Sequence, residues 1–308
     1  MTSPDPAAAV ALSTVTMPPR AGRPIGRGPS GAPRTAFVLA GGASLGAMQV
    51  GMLRALYEHG IAPDLLVGTS AGALNAAFVA SRPQTVATAD ELARVWRSLR
   101  RDDIFPINPR TLIGGLTNQR SHLIPDTGLR RLAARHLRLE RLEDAGVPLH
   151  LVAFDLLTGH EVCLSDGPAL EAVLAAAAIP GVLPAVRRGD RLLVDGGVVN
   201  NTPISHAVEL GAERIYVLPT EGPLAPALPV APRGALDAVV HAFTLLIGAR
   251  LAADVARYAD AADLIVLPAA NPERIQPTDF DHAGTLIGAG LAAARTALAA
   301  QVAEPIAS

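Results

Sequence analysis

Two consecutive units, each an apolar run, a tight turn and a helical pattern, occupy residues 35–80 and constrain the fold more than any other feature. "TAFVLA" (35–40) is a short apolar run ending in glycines, and "MQVGMLRALYEHG" (48–60) follows with helical spacing until Gly60 stops it. "APDLLVGTS" supplies a second apolar run, and "AGALNAAFVASR" continues as a small-residue helix that can pack closely on a sheet. A βαβα opening requires parallel strands, right-handed crossovers and helices on the faces, which is an α/β architecture. With 308 residues, half of them hydrophobic, the chain can fill one large domain or two small ones around a sizeable core.

The remaining pattern extends that architecture. "ADELARVWRSLR" and "DTGLRRLAARHL" predict helices after an Asp start, with "INPRTLIGGLTNQRSHLIP" (107–125) between them as loop. "PLHLVAFDLLTG" and "HEVCLS" predict strands, "GPALEAVLAAAA" a helix, "DRLLVDGG" a strand entering a turn, and "ERIYVLPT" a buried strand. After a Pro-rich stretch at 219–232, a long helix at 234–259, the strand "ADLIVLPA" and a final helix at 281–302 complete the chain. Residues 1–34, rich in Pro, Ala, Gly and Arg without periodicity, predict a disordered tail, leaving a single domain over 35–300. Asp5 and the lack of a positive n-region argue against a signal peptide, and no run of roughly 18 apolar residues is free of charges or turn signals.

Candidate chemistry begins at Gly68-Thr69-Ser70-Ala71-Gly72, a G-x-S-x-G pattern in which a strand turns sharply into a helix and holds a hydroxyl out at the bend. A serine hydroxyl needs a base to become a nucleophile. Asp195, in "LLVDGGVVNN" (192–201), follows an apolar strand, and Gly196 and Gly197 let the backbone turn tightly after it. A desolvated carboxylate there could accept the Ser70 proton; the plainer reading of an isolated Asp-Gly pair is an Asx-type turn. "GGASLG" (41–46) lies between the first strand and its helix, where converging backbone N–H groups and the helix dipole suit an oxyanion. Its G-G-x-x-x-G spacing departs from the G-x-G-x-x-G of a dinucleotide loop.

Together, "VLAGGASLGAMQVGMLRAL", "DLLVGTSAGALNAA", "AAAAIPGVLPAV" and "LLVDGGVVNNTPISHAVELGAERIYV" resemble the patatin-like phospholipase family, over roughly residues 35–220. The resemblance implies a three-layer α/β/α fold with a mainly parallel sheet, with helices at 234–300 after the core motifs. It also implies a lipid acyl hydrolase working through an acyl-serine intermediate, without a histidine. Carried onto this chain, Ser70 is the nucleophile and Asp195 its base. Gly41, Gly42 and Ala43 form the oxyanion hole, and Gly46, Gly68, Gly72, Gly196 and Gly197 support the motifs. Leu45 stands where the family commonly has Arg, and Ala176 or Ala177 where it often has Ser.

Two rival readings are an α/β-hydrolase using Ser70, Asp195 and a later histidine such as His241, and a non-catalytic lipid-binding protein of the same fold. Only one strand-helix unit precedes the elbow, which argues against the first. Keeping both Ser70 and Asp195 in suitable settings argues against the second. Asp155 is expected to cap the turn before Thr158-Gly159, Asn200 and Asn201 to brace the loop after Asp195, and His206 and His282 to be ordinary helix residues. A net charge of −2 and a pI near 6.4 favour neither nucleic acid nor an anionic membrane through bulk charge. The lone Cys163 and the absence of a Cys/His cluster lead to an expectation of no metal and no organic cofactor. The expected partner is a lipid or other acyl ester. The expected location is the cytoplasm, with peripheral membrane contact through the helix at 234–258, which also suits an acyl-chain pocket.

Overall fold

The computed structural model describes residues 34–106, 108–117, 119–222 and 234–303. The expected tail, apart from Arg34, and most of the Pro-rich stretch at 219–232 lie outside them. Arg34 belongs to the folded body: its carbonyl accepts from Glu213 N and Arg214 N, and its guanidinium donates to the Leu210 carbonyl.

Five parallel strands form the centre of one sheet. They are β1 (Thr35–Leu39), β2 (Leu65–Thr69), β3 (Leu149–Asp155), β7 (Arg214–Leu218) and β8 (Asp263–Val266), in the order β3-β2-β1-β7-β8. Beyond β3 the sheet turns antiparallel, with β4 (His160–Leu164) and β6 (Arg191–Asp195) both pairing β3, and β5 (Val186–Arg188) on the edge. β1 and β2 are buried on both faces, which explains why they read as continuous apolar runs rather than alternating ones. This is the three-layer, mainly parallel α/β/α arrangement expected from the sequence.

One face of the sheet carries the larger core, built with α1 (Ala47–Glu58), α2 (Ala71–Ala80), α3 (Val86–Ser98), α6 (Thr127–His136), α7 (Ala169–Ala176) and α10 (Ala283–Ala303). The other face packs β1, β2 and β7 against α8 (Ile204–Glu209) and α9 (Ala235–Tyr258). α4 (Arg101–Ile104) and α5 (Pro109–Leu116) connect α3 to α6.

α5 corrects the expectation of loop over 107–125. Asn108 caps it, its side-chain oxygen accepting from Arg110 N and Thr111 N, and Pro109 occupies the first turn, where its missing N–H is not needed. Gly114 and Gly115, which read as breakers, are there for space: a Cβ on Gly114 would crowd the Arg120 side chain, and one on Gly115 the His122 carbonyl and Leu123. The three-residue β5 was too short to register in the sequence.

α10 is long and apolar enough over 283–301 to cross a membrane, by length and composition. Here it packs along α1 backbone to backbone. A Cβ on Gly51 would overlap the Ile287 carbonyl and the Leu291 nitrogen, and one on Gly290 would overlap the Met48 carbonyl. Its Arg295 is paired with Glu58, the last residue of α1, at 2.7 Å. Gly51→Ala should therefore destabilise the fold by about 1–3 kcal/mol in urea unfolding. Gly288→Ala, on the same helix with nothing within 4 Å of the added carbon, should be neutral or stabilise by up to ~1 kcal/mol. Equal effects at the two positions would contradict the close packing.

Candidate active site

The C-terminal ends of β2 and β6, with the loop after β1, converge on Ser70. The serine sits between β2 and α2 with φ 54° and ψ −123°, a conformation that a non-glycine residue holds only when its surroundings impose it. Its neighbours do so. A Cβ on Gly72 would overlap the Leu39 and Ala40 carbonyls, and a Cβ on Gly68 would lie 2.6 Å from the Gly72 carbonyl oxygen. Both glycines of G-x-S-x-G are therefore required by backbone-to-backbone contact.

Asp195 ends β6, opposite Ala153 of β3, with the Ser70 hydroxyl near enough to favour its ionised form. Ser70 is 9% exposed and Asp195 5%. Burial pushes the Asp195 carboxyl up to about 6, opposed by the nearby Ser70 hydroxyl and by the hydrogen bond from Gly197 N at 2.8 Å. The Asx-type turn is thus present as well, with the same carboxylate capping the short turn Gly196–Val198. Gly196 is held by space, since a Cβ there would meet the Val152 carbonyl at 2.6 Å.

A scaffold unseen in the sequence joins the two residues. Ser70 N donates to the Ala176 carbonyl and Asp195 N to the Ala178 carbonyl, each at 2.9 Å. The "AAAAIP" stretch thereby fixes both backbones from one segment. Only small side chains are accommodated there: Ala175, Ala176 and Ala178 are all buried.

The glycine loop comes up beside the serine. A Cβ built on Gly41 would stand 3.0 Å from the Ser70 Cβ, and one on Gly42 would collide with Thr220. Gly41 N is already engaged, donating to the Asn201 carbonyl at 3.0 Å. The Gly41 carbonyl accepts from Asn201 Nδ2 and from Thr220 Oγ1. Asn201 consequently ties the loop after Asp195 to the glycine loop. Asn200 instead reaches Glu161 and Ser205, while its carbonyl accepts from Thr69 Oγ1. Ser44 N and Leu45 N donate to the Pro277 and Gly42 carbonyls, which leaves Gly42 and Ala43 as the loop donors without a partner among the described residues. Ala43 has φ 48°, the left-handed region that glycine favours. Leu45 is fully buried in the main core, so its side chain offers the site no charge. Gly46 packs against Ala71 and the Trp96 ring.

Beneath the loop runs a buried polar chain. Gln49 Nε2 donates to the Ala40 and Leu218 carbonyls at 2.8 and 2.9 Å, Asn75 Nδ2 to Gln49 Oε1 and the Gly46 carbonyl, and Trp96 Nε1 to Asn75 Oδ1 at 2.8 Å. Lone polar residues inside the apolar helices "AMQVGM" and "GALNAA" were the available signal for it.

Ser70 opens onto an apolar cavity. Ala71, Leu74, Asn75 and Phe78 line it as one stripe of α2, facing Trp96 of α3, Leu129 and Leu132 of α6, and Phe280. No described residue of α9 lines it, so the expected acyl pocket at 234–258 is corrected: the helix spacing was real, but α9 packs on the opposite face of the sheet. His136 is the cavity's one histidine, with its ring beside Phe78 and its pKa lowered chiefly by burial. Phe78 is eight residues from Ser70, roughly 12 Å along the helix. His136 therefore marks the far end of the cavity.

Other candidates sit elsewhere. His282 pairs with Asp279 on the surface, and His206 pairs with Glu161. His241 lies on α9. Asp155 accepts from Leu157 N, Thr158 Oγ1 and Leu192 N, the turn-capping role expected of it. Glu221, next to Thr220, is pushed up to about 7 by burial. Among the described residues no cluster of His, Cys, Asp and Glu could hold a metal ion.

The patatin-like phospholipase family model matches residues 37–208, more than half of the chain. Patatin-like phospholipase domain-containing protein 7 of Mus musculus is 29% identical over 191 residues, covering 59% of this chain and 13% of that protein. Patatin-like phospholipase domain-containing protein 6 of Homo sapiens is 28% identical over 185 residues, with the same coverage of 59% and 13%. An uncharacterized NTE family protein of Mycobacterium tuberculosis is 28% identical over 284 residues, covering 86% of this chain and 46% of its own. The chain thus spans less than half the length of these relatives. The crystal structure of VipD from Legionella pneumophila has a TM-score of 0.39 and 15% identity, over 86% of this chain and 69% of that one. With its elbow, glycine loop and Asp-Gly-Gly turn inside the matched region, this chain belongs to the patatin-like phospholipase family.

Proposed function

We propose that the protein is a serine acyl hydrolase of lipid esters, with Ser70 as nucleophile, Asp195 as general base and the N–H groups of Gly42 and Ala43 as the oxyanion donors. The observation that carries this reading is a buried carboxylate, Asp195, set beside Ser70 and pushed up to about 6 by burial, at the mouth of an apolar cavity. A base poised slightly below neutral is ionised at working pH yet basic enough to accept a proton in the transition state.

In the first half-reaction the Ser70 oxygen attacks the ester carbonyl carbon while its proton passes to Asp195. The negative charge collects on the former carbonyl oxygen, where preorganised backbone donors stabilise it more than they stabilise the neutral ester. Asp195 returns the proton to the leaving alcohol as the ester C–O bond breaks, giving an acyl-serine. Water then repeats the sequence, losing its proton to Asp195 and releasing the acid and free Ser70. Gly41, expected with the oxyanion donors, acts here by position, because its N–H is given to Asn201. The acyl chain fits along the α2 stripe, whose lining is almost wholly apolar. Histidine has no step in this scheme.

Ser70→Ala and Asp195→Asn should each lower kcat for a soluble short-chain ester by at least about 10³-fold. His241→Ala and His136→Ala should stay within about tenfold of the parent, an effect of packing at most. A loss at His241 equal to that at Asp195 would favour the triad. Because Asp195 must be ionised, kcat/KM should rise with pH through about 6 and level off above it. Glu221→Gln should retain that limb, since Glu221 touches no reacting atom in the scheme; a limb that disappears in this variant would move the titration away from Asp195.

A further inference from the structure

Residues 104–125 contain two arginines and one histidine and no acidic residue, in a chain of formal net charge −2. α5 lies within this stretch. Its inner face is Thr111 and Gly114, whereas Leu112, Ile113 and Leu116 are 36%, 60% and 71% exposed. Arg110, in its first turn, and Arg120, whose aliphatic stem lies against Gly114, are both exposed and form no ion pair among the described residues. Other arginines, such as Arg54, Arg82, Arg130, Arg138 and Arg214, do have carboxylate partners.

The segments on either side of α5 lie at the cavity. Ile104 and Phe105, just before α5, line the cavity. After α5, Leu123 N and Ile124 N donate to the Gly181 and Val182 carbonyls, between the cavity residues Ile179 and Leu183. An exposed apolar helix beside two free cations is the composition of a segment that lies in the interface of an anionic bilayer, its apolar side chains among the acyl chains and its cations at the head groups.

We propose that α5 is a docking surface for an anionic lipid bilayer, placing the mouth of the Ser70 cavity at the membrane surface. The proposal rests on the cavity being an acyl site, and it differs from the expectation that the helix at 234–258 makes the membrane contact. Phe243, Leu245 and Leu246 on α9 are exposed too, but α9 packs on the face of the sheet away from the cavity and so serves as the internal comparison.

The test is co-sedimentation of the full chain, carrying Ser70→Ala so that lipid is not consumed, with vesicles of equimolar phosphatidylglycerol and phosphatidylcholine or of phosphatidylcholine alone. Binding should be stronger to the anionic vesicles. Ile113→Ser with Leu116→Ser should lower the partition coefficient about tenfold or more. Arg110→Gln and Arg120→Gln should lower it about fivefold each at low salt, and much less at high salt. Leu245→Ser with Leu246→Ser should leave it unchanged. In the Ser70 background, the α5 variants should keep the soluble-ester rate, which shows that the fold is intact. Vesicle binding by the Ile113→Ser, Leu116→Ser variant equal to that of its parent would overturn the proposal. So would light scattering that shows these substitutions splitting a dimer while the parent ignores vesicles. If the chain hydrolyses no ester yet loses vesicle binding as described, the docking surface stands and the hydrolase reading fails.

Discussion

Asp195 is a carboxylate placed almost out of reach of water, and the arrangement of the site follows from keeping it there. Raising its carboxyl from 3.8 to about 6 costs the folded state on the order of 3 kcal/mol at neutral pH. The sign is that of an acid with an elevated folded pKa: the contribution is absent below 3.8, and stability is lost as pH rises towards 6. Gly197 N, which donates to the carboxylate, and the adjacent Ser70 hydroxyl offset part of this cost. The rest is carried by the packing of a core that spans both faces of the sheet. Retaining a costly buried charge in contact with one hydroxyl is difficult to explain by stability, and it is what a proton acceptor requires.

Close backbone approach is the second constraint, and it explains the glycines. The elbow glycines, Gly41, Gly42 and Gly196 each face an atom that a side chain would strike. The resulting proximity lets carbonyls and N–H groups connect the parts: Ala176 and Ala178 hold Ser70 and Asp195, and Asn201 and Thr220 hold the glycine loop. With Gly41 N occupied, the donors that remain free belong to the next two residues. The burial of Leu45 accounts for its place in this chain: the side chain belongs to the core, and the loop presents backbone groups alone.

Local chemistry made much of this legible from the sequence. Strands buried on both faces appear as apolar runs, and tight turns require glycine, so β1, β2, the elbow and the Asp-Gly-Gly turn can be read without coordinates. Contacts between distant segments leave little trace. The carbonyls of Ala176 and Ala178 carry no side-chain signature, and neither does the donation from Gly41 N to Asn201. α5 was hidden because Gly114 and Gly115 answer to tertiary crowding while suggesting a loop. The cavity was assigned to the wrong helix because an amphipathic pattern tells which face is buried but not on which side of the sheet the helix lies.

The claim at the centre of this account is that one serine, activated by a carboxylate, carries the acyl group. Its most direct test is to treat the folded chain with a fluorophosphonate and locate the adduct by intact-mass and peptide analysis. The account predicts one adduct per chain, on Ser70, with labelling abolished by Asp195→Asn in a protein that still unfolds cooperatively. An adduct on another residue, or a folded chain that takes no label, would contradict it.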